Sequence, residues 1–491
     1  MRTICSLILV CLAMLSQGAR AAQAPADTAA WTTLFDGRSL AGWKASDSPG
    51  TFTVRDGAIA CDGPRSHLYY VGPGAEAGFT NFELRAEVRT QPGANSGIYF
   101  HTAWQDTGWP ARGFEIQINN TQPAHDGYLE LKKTGSLYGI QNVYKQLARD
   151  SEWFTMTVTV RAPFVQVRLN DTTVVEYREP AGPVPGLEPP LRRLGAGTFA
   201  LQCHDPGSKV SFRHLQVRPL PALAPGEAGA PRELDGRAAQ RFRLARDNFP
   251  LIDLHAHLKG GLTIDGALRR ARESQIALGV AVNCGKGFPI ENDAGIEPFL
   301  ADLRSEPVFV AMQAEGREWV TLFSREARAR FDYVFTDGMT FTDHRGRRTR
   351  LWMKDEVQID DEQAFMERLV GVIAGILERE PIDVYVNPTF LPEVIAAKYD
   401  ALWTDARMAR VIDAAARQRV AIEINNRYRI PSETFLRKAR AAGVKLTCGT
   451  NNAGSDLGDW SYCLEMQQAL GLTWKDMWVP GSQPRRVDRD R

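Results

Sequence analysis

The chain has 491 residues, 44% of them hydrophobic and 24% charged, with 59 Lys and Arg against 58 Asp and Glu and a formal net charge of +1. That length exceeds what one hydrophobic core organises, so two domains are expected. The near-zero charge argues against nucleic acid or an anionic membrane surface as a partner.

Residues 1–21 read as a signal peptide. Arg2 precedes an apolar run from Ile4 to Leu15, too short to cross a bilayer, and Ala19-Arg20-Ala21 forms an A-x-A cleavage site. The expected location is periplasmic or secreted, with no transmembrane segment. Five cysteines follow, at Cys61, Cys203, Cys284, Cys448 and Cys463. An oxidising compartment permits disulfides, and whether Cys61 pairs with Cys203 or both stay free thiols is open at this stage.

From about residue 31 to 220, short runs rich in Val, Ile, Phe, Tyr and Thr are separated by Gly, Pro, Asn and Asp clusters, the pattern of a β-sandwich. Strand alternation sorts side chains by face. In Gly113 to Asn119, Glu115 and Gln117 oppose Phe114, Ile116 and Ile118. In Asn95 to His101, Tyr99 and His101 oppose Ile98 and Phe100, and in Leu201 to His204, Gln202 and His204 oppose Leu201 and Cys203. If these polar faces share a sheet they line a groove of acids, amides, imidazoles and an aromatic ring, the chemistry that sugar hydroxyls and the C–H face of a pyranose require. A solvated outer face would show the same alternation.

Several ordered motifs strengthen the groove: Trp31 to Trp43, Asn95-Ser96-Gly97-Ile98, Gly113-Phe114-Glu115-Ile116-Gln117, Thr134 to Gly139, and Val210-Ser211-Phe212-Arg213. Together they resemble the 3-keto-disaccharide hydrolase family, also described as 3-keto-glucoside lyase/hydratase domains. The resemblance implies a concanavalin-like jelly roll and action on 3-keto-glycosides. His101 stands where the family more often has Arg. A ketone at C3 acidifies the C2 hydrogen, so one base can remove it and expel the C1 oxygen, after which water adds; no carboxylate pair is needed. Glu115 and His204 are the expected proton-transfer groups. Asn95, Tyr99, His101, Gln117, Tyr138, Gln202 and Arg213 are the expected substrate-binding and charge-stabilising groups.

Residues 221–247 form a Pro- and Ala-rich linker, read as an extended spacer that ends in a short charged helix, with some interdomain mobility unless the domains share a large interface. From 248 to 480, seven apolar runs alternate with amphipathic helical patterns, indicating a parallel (β/α)7-type barrel. Nearly every run ends in a polar residue: His255 and His257, Asn283, Glu315, Asp337, Asn387, Glu423 with Asn425, and Asn451. Barrel enzymes build sites at these strand ends. The opening His-Ala-His and the acid Glu315 resemble the PHP metallohydrolase superfamily, which implies bound metal. Asn283-Cys284, Asn387-Pro388 and Asn451-Asn452-Ala453 depart from its pattern, and His344 is the one further histidine in this region. At most one divalent ion is therefore expected, held by His255, His257, Glu315 and Asp337; a barrel that has lost hydrolysis is the competing expectation. For the whole chain, the alternative to cleavage in the sandwich is a sandwich that only binds carbohydrate and presents it to a metal-dependent barrel.

Overall fold

The computed structural model describes residues 29–184, 192–343 and 345–486. The expected signal peptide, with Cys5 and Cys11, and His344 lie outside the described residues. Among the described residues, the N-terminal half forms two antiparallel sheets packed face to face. One has eight strands, the other five, and the five-stranded sheet runs in the order Trp43–Ala45, Ser66–Tyr70, Thr198–Cys203, Asn95–Thr102, Phe114–Asn119. Phe100, Phe114, Ile116, Phe199 and Leu201 point from this sheet into a shared core with Leu84, Val158, Val167 and Phe212 of the larger one. Each such side chain stabilises the fold by roughly 1.5–3 kcal/mol when fully buried. Cys61 and Cys203 form a disulfide, while Cys284, Cys448 and Cys463 are free and buried.

The C-terminal half closes into a barrel of seven parallel strands: Ile252–Ala256, Ala277–Cys284, Phe309–Ala314, Tyr333–Thr336, Val384–Tyr385, Ala421–Asn425 and Leu446–Gly449. These coincide with the apolar runs to within about two residues at each end. Helices between them start at side-chain caps such as Thr263, Asp361, Thr404 and Ser432, each bonded to a backbone N–H of the first turn.

The linker differs from the extended spacer that its composition suggests. Arg178 of the sandwich donates to the carbonyls of Ala228, Gly229 and Ala230, and the helix Gly236–Arg246 buries Phe242 against the sandwich core. Carbonyls of the linker backbone accept from a guanidinium of the sandwich, which the pattern of prolines and alanines could not announce.

Nor are the domains loosely tethered. The sandwich residues Leu131 and Tyr144 belong to the same apolar cluster as Ile252, Leu254, Phe309, Tyr333, Phe335, Val384 and Trp478 in the barrel. The Tyr144 hydroxyl donates to the Phe249 carbonyl (3.2 Å) and accepts from Leu251 N (3.1 Å). Lys145 Nζ donates to the Val308 carbonyl and pairs with Asp332 at 3.3 Å. Ile252, Phe309, Tyr333 and Val384 open their strands, and Leu251, Val308 and Asp332 immediately precede them, so the sandwich closes the barrel's N-terminal floor and leaves the opposite mouth to His255 and His257. Tyr144→Ala should therefore cost about 3–5 kcal/mol by opening a cavity under the barrel. Urea unfolding followed by circular dichroism of the helices checks this: an unchanged midpoint would show that the floor does not depend on the sandwich.

Candidate functional site

On the outward face of the five-stranded sheet, cross-strand register assembles two rows. Tyr69, Ala200, Tyr99 and Glu115 lie side by side in one; His67, Gln202, Gly97 and Gln117 form the next. Glu115 is the centre. Tyr99 Oη donates to its Oε2 at 2.8 Å and Gln202 Nε2 to its Oε1 at 3.0 Å. The carboxylate lies across Gly97, where an added Cβ would come within 2.5 Å of Oε1, so the absent side chain is what lets the acid fold flat on the sheet. Burial raises Glu115 to about 7 against the opposing pull of the Tyr99 hydrogen bond, the Arg192 charge and Gln202. Tyr99, held far above its ordinary value by burial and by Glu115, stays a phenol and a donor.

Around this acid several buried polar atoms have no partner: both ring nitrogens of His67, the Tyr69 hydroxyl and Gln202 Oε1. Buried groups in native proteins are rarely left unpaired, so a cluster of them on one face points to a ligand that carries several hydroxyls. His67, fully buried and pushed down to about 4 by burial, is a neutral imidazole. Its ring meets Tyr99 and Trp109 edge-on at 5.6 and 5.5 Å, and Trp109 is 45% exposed, an aromatic surface at the rim. His204 is also at the rim, its ring tilted against Trp109 at 5.2 Å with Nδ1 bonded to Asp205 at 2.8 Å. Gln117 donates to Asn95 Oδ1 at 3.2 Å at one end of the face.

At the other end the segment after the last strand returns over the sheet: Tyr138 N donates to the Glu115 carbonyl and Tyr138 Oη to Glu130 Oε2 at 2.9 Å. Glu130 also takes the Tyr128 hydroxyl and Lys132 Nζ, at 2.9 and 3.1 Å. Lys132 reaches in turn Asn248 Oδ1 (3.2 Å), the residue just before the first barrel strand.

Seven of the nine expected sandwich residues thus share one face: Glu115, His204, Asn95, Tyr99, Gln117, Tyr138 and Gln202. Two do not. His101 turns the other way because its strand carries an extra residue: Tyr99 pairs with Ala200 and Thr102 with Thr198, and His101 takes φ +54. Its ring packs on Phe82 and Phe100 and its Nε2 meets the Thr80 carbonyl at 3.0 Å, a core position. Arg213 lies on the eight-stranded sheet, bonded to Glu87 (2.7 Å) and stacked over Trp153 (4.1 Å), outside the groove. His67, Arg192, Glu130 and Lys132 were not among the expected residues. The alternation of Ser66 to Tyr70 would have shown His67; the other three sit in irregular chain that carries no period.

In the barrel mouth, His255 Nδ1 meets Glu423 Oε1 at 2.7 Å and His257 Nδ1 meets the Ala281 carbonyl at 3.0 Å, while both Nε2 atoms are buried without partners. Two imidazoles fixed through Nδ1 suit a cation. The carboxylates suit it less. Glu315 Oε1 is taken by Asn283 (2.7 Å) and Gln313 (3.0 Å), and Asp337 by Met339 N and Asn387, both at 2.9 Å. Burial raises both acids, the Asp337 charge adding to the effect on Glu315. Among the described residues no three His, Cys, Asp or Glu side chains are grouped to hold an ion. The four-residue ligand set expected from the pattern is therefore not grouped around one point: side-chain amides occupy Glu315, and a side-chain amide and a backbone N–H occupy Asp337.

Comparison with known proteins bears on the sandwich. Residues 30–218 match the 3-keto-alpha-glucoside-1,2-lyase-like domain family. The N-terminal region is therefore similar to 3-keto-disaccharide hydrolase-like domains. A 3-keto-disaccharide hydrolase of Bacteroides thetaiotaomicron is 28% identical over 177 residues, which cover 32% of this chain and 61% of that protein, so the chain spans about three fifths of that relative. Among solved structures, a candidate glycosyl hydrolase of Parabacteroides distasonis is similar at 23% identity and a TM-score of 0.34, covering 39% of this chain and 94% of its own. A histidinol phosphate phosphatase of Lactococcus lactis, solved with zinc, L-histidinol and phosphate, is 12% identical at a TM-score of 0.34, over 45% of this chain and 92% of its own. At these TM-scores neither structure bears on what the chain does.

The raised Glu115 has a direct thermodynamic consequence. A carboxyl whose folded pKa exceeds its unfolded value binds more protons when folded, so its contribution is present below the unfolded pKa and is lost as pH rises toward 7. Between pH 5 and pH 8 this amounts to roughly 2–3 kcal/mol. Glu115→Gln should flatten the pH dependence of unfolding by that amount, as measured by urea titrations at the two pH values; an identical slope would mean that Glu115 titrates as an ordinary surface acid.

Proposed function

We propose that the sandwich cleaves 3-keto-glycosides by removing the C2 proton, with Glu115 as the base. The observation that carries this reading is a buried carboxyl with a pKa of about 7, set among unpartnered polar atoms and aromatic rings, in a 3-keto-disaccharide hydrolase-like domain. A base poised near neutral pH combines a usable deprotonated fraction with real affinity for a proton. Glu115 takes the proton from C2, and the electron pair passes to the C3 oxygen as an enolate. Collapse of the enolate forms the C1–C2 double bond as the C1–O bond breaks. The leaving oxygen takes a proton, and water then adds across C1–C2, its hydroxyl to C1 and a proton to C2. Arg192, whose charge reaches Glu115, is the cation suited to the enolate oxygen. Gln202 Oε1, the Tyr69 hydroxyl and neutral His67 receive the sugar hydroxyls, and Trp109 offers a flat surface to the ring.

The same reading places the protein outside the cytoplasm, with residues 1–21 as its export signal; the Cys61–Cys203 disulfide suits an oxidising compartment. In the barrel, the reading allows at most one divalent ion, on His255 and His257, with its other positions open to water or ligand. No step of the sandwich reaction passes through it.

With a 3-keto-disaccharide in deuterium oxide, the wild-type protein should place one deuteron at C2 of the released sugar, and Glu115→Gln should lose at least 100-fold in both exchange and cleavage. Cleavage without C2 deuterium would replace elimination by direct hydrolysis. Because the base acts deprotonated, kcat/KM should rise as pH rises through about 7, and a flat profile would exclude Glu115 from proton transfer. For the barrel, elemental analysis of protein purified without chelator should find no more than one divalent ion per chain, and less in a His255→Ala/His257→Ala variant. Undiminished metal content in that variant would remove these ligands.

A further inference from the structure

A second concave surface shares no residue with the Glu115 face and lies on the other sheet, in the crease where the outer face of the eight-stranded sheet meets the linker and the barrel helix Ile264–Ser274. Its volume is about 690 Å³, in the range that holds small ligands. The sheet supplies its floor in two cross-strand rows. Arg161, Phe164 and Arg178 are register partners, so an aromatic ring is flanked on both sides by guanidiniums; Thr159, Gln166 and Glu176 form the neighbouring row. The helix and the linker end supply the wall through Arg232, Arg269 and Arg272.

The charge balance is unusual for a protein whose total is +1. Five arginines line the crease against two carboxylates, Glu176 and Glu273. Arg272 pairs with Glu176 at 2.6 Å. Three others donate to backbone carbonyls: Arg161 to Pro221, Arg178 to residues 228–230, Arg232 to Glu273. A carbonyl satisfies a donor without cancelling its charge, so the positive surplus persists and is focused by the concave wall. Arg269 is exposed and has no hydrogen-bond or ion-pair partner among the described residues.

We propose that this crease is a second carbohydrate site, selective for sugars that carry a carboxylate or sulfate group. Guanidinium forks match both oxyanions in a two-point geometry. Phe164 provides the apolar surface for a pyranose ring, and Thr159 and Gln166 provide neutral partners for its hydroxyls. An inorganic anion would use only the first of these three features. The site also joins three parts of the chain at once, so an occupant would touch the sandwich, the linker and the barrel together.

The test is calorimetric titration of the full-length protein with trigalacturonate, a sulfated disaccharide, maltotriose and sodium sulfate at low ionic strength. Saturable binding of at least one acidic sugar is expected, at least tenfold tighter than maltotriose or sulfate and weakened severalfold by 0.3 M salt. Arg269→Glu should weaken it at least tenfold while leaving cleavage of a 3-keto substrate unchanged, since Arg269 holds no other element in place. Phe164→Leu should weaken the sugars but not sulfate. Absence of saturable binding by both acidic sugars overturns the proposal, as does binding indifferent to Arg269→Glu. Sulfate binding as tightly as the sugars overturns the assignment to carbohydrate.

Discussion

A buried ammonium sits at the joint on which this molecule depends. The Lys132 side chain is 1% exposed, at the boundary of sandwich and barrel, and its charge is tolerated only because Glu130 and Asn248 meet it there. Burial pulls its pKa down and the Glu130 charge pulls it back. Asn248 Oδ1 also accepts from Leu131 N at 3.2 Å and its Nδ2 donates to the Leu129 carbonyl at 2.8 Å, so one residue at the barrel's entrance fixes two backbone groups of the sandwich as well as the Lys132 ammonium. Removing one partner of such a pair costs more than the pair contributes, because the other charge is left buried alone. The segment from Tyr128 to Lys145 is thus held rigidly, with one side toward Glu115 and the other toward the barrel floor.

That double duty sets the relation between the two candidate sites. The sandwich occupies the N-terminal ends of the barrel strands, whereas His255 and His257 lie at the C-terminal ends. Between them the barrel is filled by Leu254, Tyr333, Phe335 and Val386. No molecule passes through that packing, so whatever leaves the Glu115 face reaches the barrel mouth by way of solvent. The two sites share a scaffold rather than a channel.

Much of this was legible in the sequence, and the exceptions have physical causes. Within each strand, period-two alternation separated Glu115 and Gln117, Tyr99, and Gln202 from their apolar neighbours because pleated strands leave no alternative; that these strands adjoin in one sheet is a matter of topology, which alternation does not carry. The same rule misplaced His101, since one inserted residue with a left-handed backbone reverses the parity, and the Gly113 and Gly197 backbones crowd that bulge in a way only space reveals. Arg213 was misplaced because a motif in sequence does not say which sheet its strand joins. In the barrel, the apolar runs gave the strands and the polar strand ends gave the mouth. Asn387 and Asn451 looked like lost ligands; both have φ near +50, a conformation asparagine accepts readily, and Asn387 Oδ1 accepts from the side-chain amides of both Asn451 and Asn425. Backbone shape and polar satisfaction account for them without reference to metal.

The placement of Tyr144 changes what counts as a unit in this chain. By sequence the boundary falls in the linker, where proline and alanine suggest a tether between separable modules. In space the inside of the barrel includes a ring and a leucine from the other domain, so neither half owns a complete interior. Selection acting on the barrel's packing therefore acts on a loop of the sandwich, and the same loop carries the groups next to Glu115. Divergence in one half is constrained by the other, which gives the pair a shared evolutionary fate even if only one of them performs chemistry.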